Sequence, residues 1–168
     1  MRQLLPKLLA FAERDEEGVR NVVAECLGRL TAVAPATVIP KLKALLPSPV
    51  GATRSTVISC VRFAITEIGS APLPPELQGS LFCFLQLLED IDLKVSRRWT
   101  LMPLSVVATD RSVPNVAQQV RRGALLTLNC LAHNKPAAIK EVLSNLLPLL
   151  YGETAKRPEL VHQVRAVQ

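Results

Sequence analysis

The stretch EEGVRNVVAECLGRLTAV, Glu16 to Val33, decides the fold. Its apolar residues Val19, Val22, Val23, Cys26, Leu27, Leu30 and Val33 recur at steps of three and four, which puts them on one stripe of a helix with 3.6 residues per turn. Acidic residues at the start of that helix face the positive end of its dipole. Upstream, the polar turn Arg14-Asp15-Glu16-Glu17 ends an earlier helix over about Gln3 to Glu13, so the helices come as a pair.

The same arrangement recurs outward along the chain. A second pair begins at Pro35-Ala36-Thr37 with Val38, Ile39, Leu42, Leu45 and Leu46 apolar. It breaks at Pro47-Ser48-Pro49 and resumes with Val57, Ile58, Val61, Ala64, Ile65 and Ile68, where Ser48 or Thr53 could cap it. A third opens at Pro74-Pro75-Glu76 and runs through Leu77, Leu81, Phe82, Leu85 and Leu88 to Glu89-Asp90. A fourth opens at Pro136 with Ile139, Val142, Leu143, Leu146, Leu147 and Leu150. Proline near a helix start loses nothing by its missing N–H, and its fixed φ suits the first turn. A pair period of roughly 35 to 40 residues belongs to two-helix solenoids. The Trp, Leu-Gly and Tyr pattern of tetratricopeptide repeats is not found. The closest match is the HEAT type: apolar helix, turn, then Val-Arg or Thr-Arg heading a second apolar helix. The expected fold is therefore all-α, a HEAT-repeat α-solenoid of antiparallel helix pairs in a right-handed superhelix. It forms one run of about four repeats over 1–168: 2–33, 35–69, 74–134 interrupted at 96–120, and 136–168 incomplete.

The arginines that head the second helices, in Val19-Arg20, Thr53-Arg54 and Val120-Arg121, have two readings. One is a structural ladder in which each reaches the turn carboxylate of its own or the neighbouring repeat. The other is a basic strip for an acidic partner. The spacing follows the repeat itself, which favours the ladder.

Composition supports this architecture. The 168 residues are 49% hydrophobic but 4% aromatic, which suits small-residue helix packing better than a sheet core. The net charge of +6 comes from basic residues scattered singly or in pairs with no interleaved aromatic platform, so nucleic acid is not the expected partner. Cys26, Cys60, Cys83 and Cys130 lie far apart in apolar stretches without metal-ligand spacing, which points to buried free thiols in a reducing compartment. The start MRQLLPKLLAFAERD has some features of a signal peptide, but Pro6 and Lys7 interrupt its apolar run. Leu4, Leu5, Leu8, Leu9 and Ala12 share one helical face, so an amphipathic helix accounts for them. No segment is apolar for long enough to span a membrane.

Val-Arg-Arg is nearly stated twice, at Val95-Ser96-Arg97-Arg98 and at Val120-Arg121-Arg122. From Pro35 to Pro75 is about 40 residues but from Pro75 to Pro136 is about 61, an excess of roughly 20 to 25 over the repeat period. With Ser96 to Val120 removed, Asp92-Leu93-Lys94-Val95 joins Arg121-Arg122-Gly123-Ala124-Leu125-Leu126 at the ordinary spacing. The segment holds Trp99, Met102, Pro103 and Pro114 and reads as an interruption of one second helix. A renewed start near Ser112 or Pro114 would rebuild that helix, leaving Ser96 to about Arg111 outside the stack.

RNVVAECLGRLT (Arg20 to Thr31), LEDIDLKV, AHNKP and LLPLLYGET together resemble the cullin-associated, neddylation-dissociated proteins, more the muscle-enriched second paralogue than the ubiquitous one. The resemblance covers about Glu16 to Val95 and Arg121 to Val164, as in a fragment of the carboxy-terminal half or an alternative isoform with an extra segment. It implies a HEAT solenoid that binds unneddylated cullin with its RING subunit, promotes exchange of substrate-receptor adaptors and supports SCF complex assembly. It further implies a link to TATA-binding protein and transcription, and residence in nucleus and cytoplasm. The 96–120 segment has no counterpart in the family pattern. If the array stops at Gln168, the helix from Glu159 to Val164 has no completed repeat to pack on.

Catalysis has little support in the residues. No Gly-x-Ser-x-Gly, phosphate-binding glycine loop or paired carboxylate in a plausible cleft is present, so no catalytic, metal or cofactor residues are expected, nor a small-molecule substrate. His133 sits in LAHNKP at a helix end, where a cation suits the dipole, and His162 lacks partners for a triad or a metal site. Two other readings stay open: a basic solenoid for nucleic acid, phospholipid or transcription factors, and a folded fragment without exchange activity.

Overall fold

The computed structural model describes residues 4–14, 16–89 and 113–156. Among these, helix α1 spans Leu4–Phe11, α2 Glu17–Val33, α3 Pro35–Ala44 and α4 Gly51–Ile68. The third pair follows with α5 Pro75–Gln78, α6 Leu81–Leu85 and a 3-10 turn Gln86–Glu89, then α7 Val113–Asn134 and α8 Pro136–Lys156. No strand occurs among the described residues. The second helices α2, α4 and α7 pack side by side as one layer. The elements α1, α3, α6 and α8 lie against it, α5 packs on α3, and together they complete a two-layer, HEAT-like stack.

One register governs the layer. Counting from Arg20, Arg54 and Arg121, the residues three, four and seven positions on are buried in all three helices: Val23, Ala24 and Leu27; Val57, Ile58 and Val61; Ala124, Leu125 and Leu128. They join Leu42, Ile39, Leu77, Phe84, Leu85 and Leu88 from the other layer in a single core. Each fully buried aliphatic side chain contributes about 1.5–3 kcal/mol, so this periodic stripe is the main source of stability.

The arginines themselves are buried at the same point of the register. Arg20 Nη1 donates to the carbonyl of Arg14 at 2.7 Å, and Arg54 Nη1 donates to the carbonyl of Ser48, each six residues back along the chain. These turn carbonyls are backbone acceptors that a five-donor guanidinium can satisfy. Arg20 and Arg54 are the fourth residues of α2 and α4, whereas Arg121 is the ninth of α7, so α7 reaches further upstream of its arginine. The renewed helix start expected near Ser112 or Pro114 falls at Val113. The rest of the interruption, residues 96–112, and the terminal helix at 159–164 lie outside the described residues.

Side-by-side packing of the second helices uses small and polar residues. A Cβ placed on Gly28 would lie 2.5 Å from Phe63 Cβ, and one on Gly123 would lie 2.7 Å from Ile58 Cγ2. Thr31 Oγ1 meets Cys60 Sγ at 3.7 Å across α2 and α4, and Thr66 Oγ1 meets Cys130 Sγ at 3.5 Å across α4 and α7. Thr127 Oγ1 donates to the carbonyl of Ile58 at 3.3 Å and to that of Gly123 at 2.8 Å, so a hydroxyl inside the interface keeps a backbone partner. Val22, Cys26, Arg29 and Val33 occupy in α2 the register that Thr56, Cys60, Phe63 and Glu67 occupy in α4. Val22 and Val33 are 62% and 77% exposed.

Two local details depart from the sequence expectation. The third first-layer helix is not continuous: α5 ends at Gln78, Gly79 and Ser80 intervene, and α6 gives way to a 3-10 turn. Leu77, Leu81, Phe84, Leu85, Leu87 and Leu88 are nevertheless all buried, so the break turns the chain without losing its apolar side. At the start of α4 the cap position is Val50, and neither Ser48 nor Thr53 caps the helix. Ser48 Oγ instead accepts the N–H of Val50 at 3.2 Å, closing the turn before the helix. Gly69 ends α4 at φ 55°, a left-handed position that glycine takes without strain, and its N–H bonds the carbonyl of Ile65 at 3.2 Å.

Candidate interaction surface

The outward side of the second-helix layer carries a shallow groove of about 240 Å³. Its floor and walls come from three helices: Glu17, Arg20 and Asn21 of α2; Ser55, Thr56, Ser59 and Arg62 of α4; Gln119, Arg122, Gly123 and Leu126 of α7. Apart from buried Arg20 and Thr56, these positions lie off the buried stripe, so the helical period that sends Val23, Val57 and Ala124 inward sends Asn21, Ser55 and Arg122 out. The close approaches at Gly28 and Gly123 bring the three helices near enough for their off-stripe side chains to share one surface.

Charge in the groove is unequal. Arg122 is exposed and Arg62 half-buried, with the Arg62 guanidinium 4.7 Å from the centroid of the Phe63 ring, a cation–π contact that steadies it. Arg20 lies buried beneath, its Nη1 committed to the Arg14 carbonyl. Glu17, exposed in the first turn of α2, is the carboxylate among the described lining residues. In the sequence Arg122 stands out only through the Val120-Arg121-Arg122 junction, and Arg62 carries no signal of its own. Arg62 and Arg122 sit eight positions and one position after Arg54 and Arg121, an offset that takes both off the stripe.

A second hollow, of about 300 Å³, lies where the α4–α5 and α7–α8 turns meet. Lys135, 7% exposed, donates its Nζ to the carbonyl of Ala71, while Gln78 Nε2 donates to Glu141 Oε2 at 2.7 Å. Both contacts tie the third and fourth pairs together. His133 is exposed in the last turn of α7, and Asn134 Nδ2 beside it donates to the carbonyl of Cys130 at 2.9 Å, closing the helix end. His162 lies outside the described residues.

The four cysteines are free, but only Cys60 is buried as the sequence leads one to expect of all four: Cys83 and Cys130 are half-buried, and Cys26 lies with Val22 and Val33 on the exposed flank of α2. Burial pushes the Cys60 thiol up to about 12, against the opposing hydrogen bond from Thr31, so it is inert as a nucleophile at neutral pH. Among the described residues no three His, Cys, Asp or Glu side chains converge as metal ligands, and no helix is long and apolar enough to cross a membrane.

Stacked helix pairs with a polar groove along the second-helix layer define a HEAT-like solenoid, a class whose surfaces bind other macromolecules. No protein-family model matches the chain. It is 37% identical over 164 residues to cullin-associated NEDD8-dissociated protein 1 of Dictyostelium discoideum, across 98% of its own length and 11% of that relative's. Over 157 residues it is 34% identical to cullin-associated NEDD8-dissociated protein 2 of Mus musculus, across 94% and 11%. A protein of Emericella nidulans named as the C-terminal part of protein 1 matches at 32% over 151 residues. The chain belongs to this family of cullin-associated NEDD8-dissociated proteins, and it spans about 11% of the length of the curated relatives it matches. None of those names denotes an enzyme.

Proposed function

We propose that the chain is a scaffold segment that binds cullin, with no catalytic step of its own. Family membership supports the partner, and the observation that carries the reading to this chain is the continuous α2–α4–α7 layer with its outward polar groove. Such a layer offers a rigid surface whose side chains are set by the core behind them, so binding costs little ordering entropy. Preference for the unneddylated cullin with its RING subunit, promotion of adaptor exchange and SCF assembly belong to the same proposal and rest on the resemblance. Contact with TATA-binding protein and residence in nucleus and cytoplasm rest there too.

The test is capture of a purified cullin–RING complex by this chain, before and after neddylation. Capture of the unneddylated form that is lost on neddylation is the expected result. Equal capture of both forms overturns the preference, and absence of capture overturns the reading.

A further inference from the structure

We propose that the groove across α2, α4 and α7 receives an acidic segment of the protein partner, held by Arg62 and Arg122. This rests on the cullin-binding reading and names the chemistry of the element that docks.

The lining residues carry the argument. Arg62 and Arg122 come from adjacent helices and both reach solvent. Glu17 stands at the α2 side, so the groove is positive towards α4 and α7 and neutralised towards α2. Between these charges lie Asn21, Ser55, Ser59 and Gln119, whose amides and hydroxyls can pair with carboxylates or with the backbone of a bound segment. Leu126, 38% exposed, gives the aliphatic stem of a glutamate an apolar contact. An acidic protein segment fits this mixture better than nucleic acid does. Phosphate tracking needs a longer run of cations and base stacking needs an aromatic face, and among the described residues no aromatic side chain lines the groove.

Two guanidiniums at a solvent-facing rim act by steering and by charge-assisted hydrogen bonds. Exposed charge pairs are individually weak, so reversing both arginines should weaken binding by roughly tenfold rather than abolish it. The experiment measures affinity for the unneddylated cullin–RING complex by calorimetry or biolayer interferometry, at low and moderate salt. It compares the unaltered chain with Arg62→Glu/Arg122→Glu, Arg62→Lys/Arg122→Lys and Glu17→Lys, each checked for an unchanged unfolding midpoint.

The expected pattern is about a tenfold loss for the double reversal and near-retention for the lysine pair. Glu17→Lys should give a gain of about twofold to fourfold. The dependence on salt should be shallower for the double reversal than for the unaltered chain. An unaltered chain that binds while the double reversal and Glu17→Lys leave affinity unchanged overturns the acidic-segment inference and leaves the cullin reading standing. No binding by the unaltered chain sinks both. Displacement of the cullin by single-stranded DNA acting through the same two arginines identifies a nucleic-acid groove instead and overturns the inference.

Discussion

Gly28 of α2 lies so close to Phe63 of α4 that a Cβ on the glycine would stand 2.5 Å from Phe63 Cβ and 3.0 Å from the backbone nitrogen of Ala64. Both neighbours are backbone or backbone-attached, so neither can swing aside. Gly28→Ala should therefore destabilise the chain by about 1–3 kcal/mol, despite the roughly 1 kcal/mol that alanine gains in helix propensity. Gly18, in the first turn of the same helix, has nothing within 4 Å of where an added methyl would stand, and Gly18→Ala should be neutral or stabilising. Urea unfolding of the two variants checks the contrast, and equal effects would contradict the close approach.

Arg54 is 2% exposed and donates to the Ser48 carbonyl. Arg54→Ala removes a charged hydrogen bond and leaves a large cavity, a loss of roughly 2–4 kcal/mol. Arg54→Lys should recover only part of it, since an ammonium lacks the planar fork. Arg29 pairs with Glu25 at 2.8 Å, but its side chain is 64% exposed, and Arg29→Ala should change stability by less than about 0.5 kcal/mol. Thermal midpoints of the three variants rank these effects.

The raised Cys60 thiol predicts a one-sided pH dependence. The folded state keeps the proton up to about pH 12, whereas the unfolded thiol loses it near its ordinary value of 9.0. Stability from this group is thus complete below pH 9 and is lost between pH 9 and about 12, because the unfolded state there binds fewer protons. Cys60→Ala should flatten the decline over that range. At neutral pH a maleimide should label exposed Cys26 rapidly and Cys60 only after denaturation.

Lys135 joins the α7–α8 turn to the Ala71 carbonyl. Lys135→Met keeps the apolar stem but deprives a carbonyl of its donor, a loss of about 1–2 kcal/mol. Hydrogen exchange should register it as faster opening of α8 with little change in α2. Uniform loosening of the whole stack would argue against a local tie.

Deleting Ser96 to Val120 joins Val95 to Arg121 and supplies a valine where Val120 is buried. A single second helix of ordinary length should result, with a higher unfolding midpoint and a steeper transition. A midpoint that stays equal or falls would refute the reading of this segment as an interruption.

Much of the stack was legible in the chain because a helix stripe is a local property. The spacing of Val19, Val23, Leu27 and Leu30 commits α2 to bury one face whatever its neighbours are, and Pro35, Pro75 and Pro136 mark helix starts through their own φ. The break at Gly79 and Ser80 is masked in the sequence, since the apolar period of Leu77, Leu81, Phe84 and Leu88 continues across it. The carbonyl contacts of Arg20 and Arg54 were hidden in the sequence for a related reason: backbone acceptors are carried by every residue and announced by no residue type.

By itself, then, the sequence determined that helices form, that they pair and that an arginine begins each buried stripe, because those follow from 3.6-residue periodicity and from proline's own geometry. Only the tertiary structure decided which flank of each helix is covered, why Gly28 and Gly123 have no room for a side chain, and that Arg62 and Arg122, rather than Arg20 and Arg54, face outward across one groove. Those outcomes depend on how neighbouring helices are spaced and rotated, which contacts distant in sequence set.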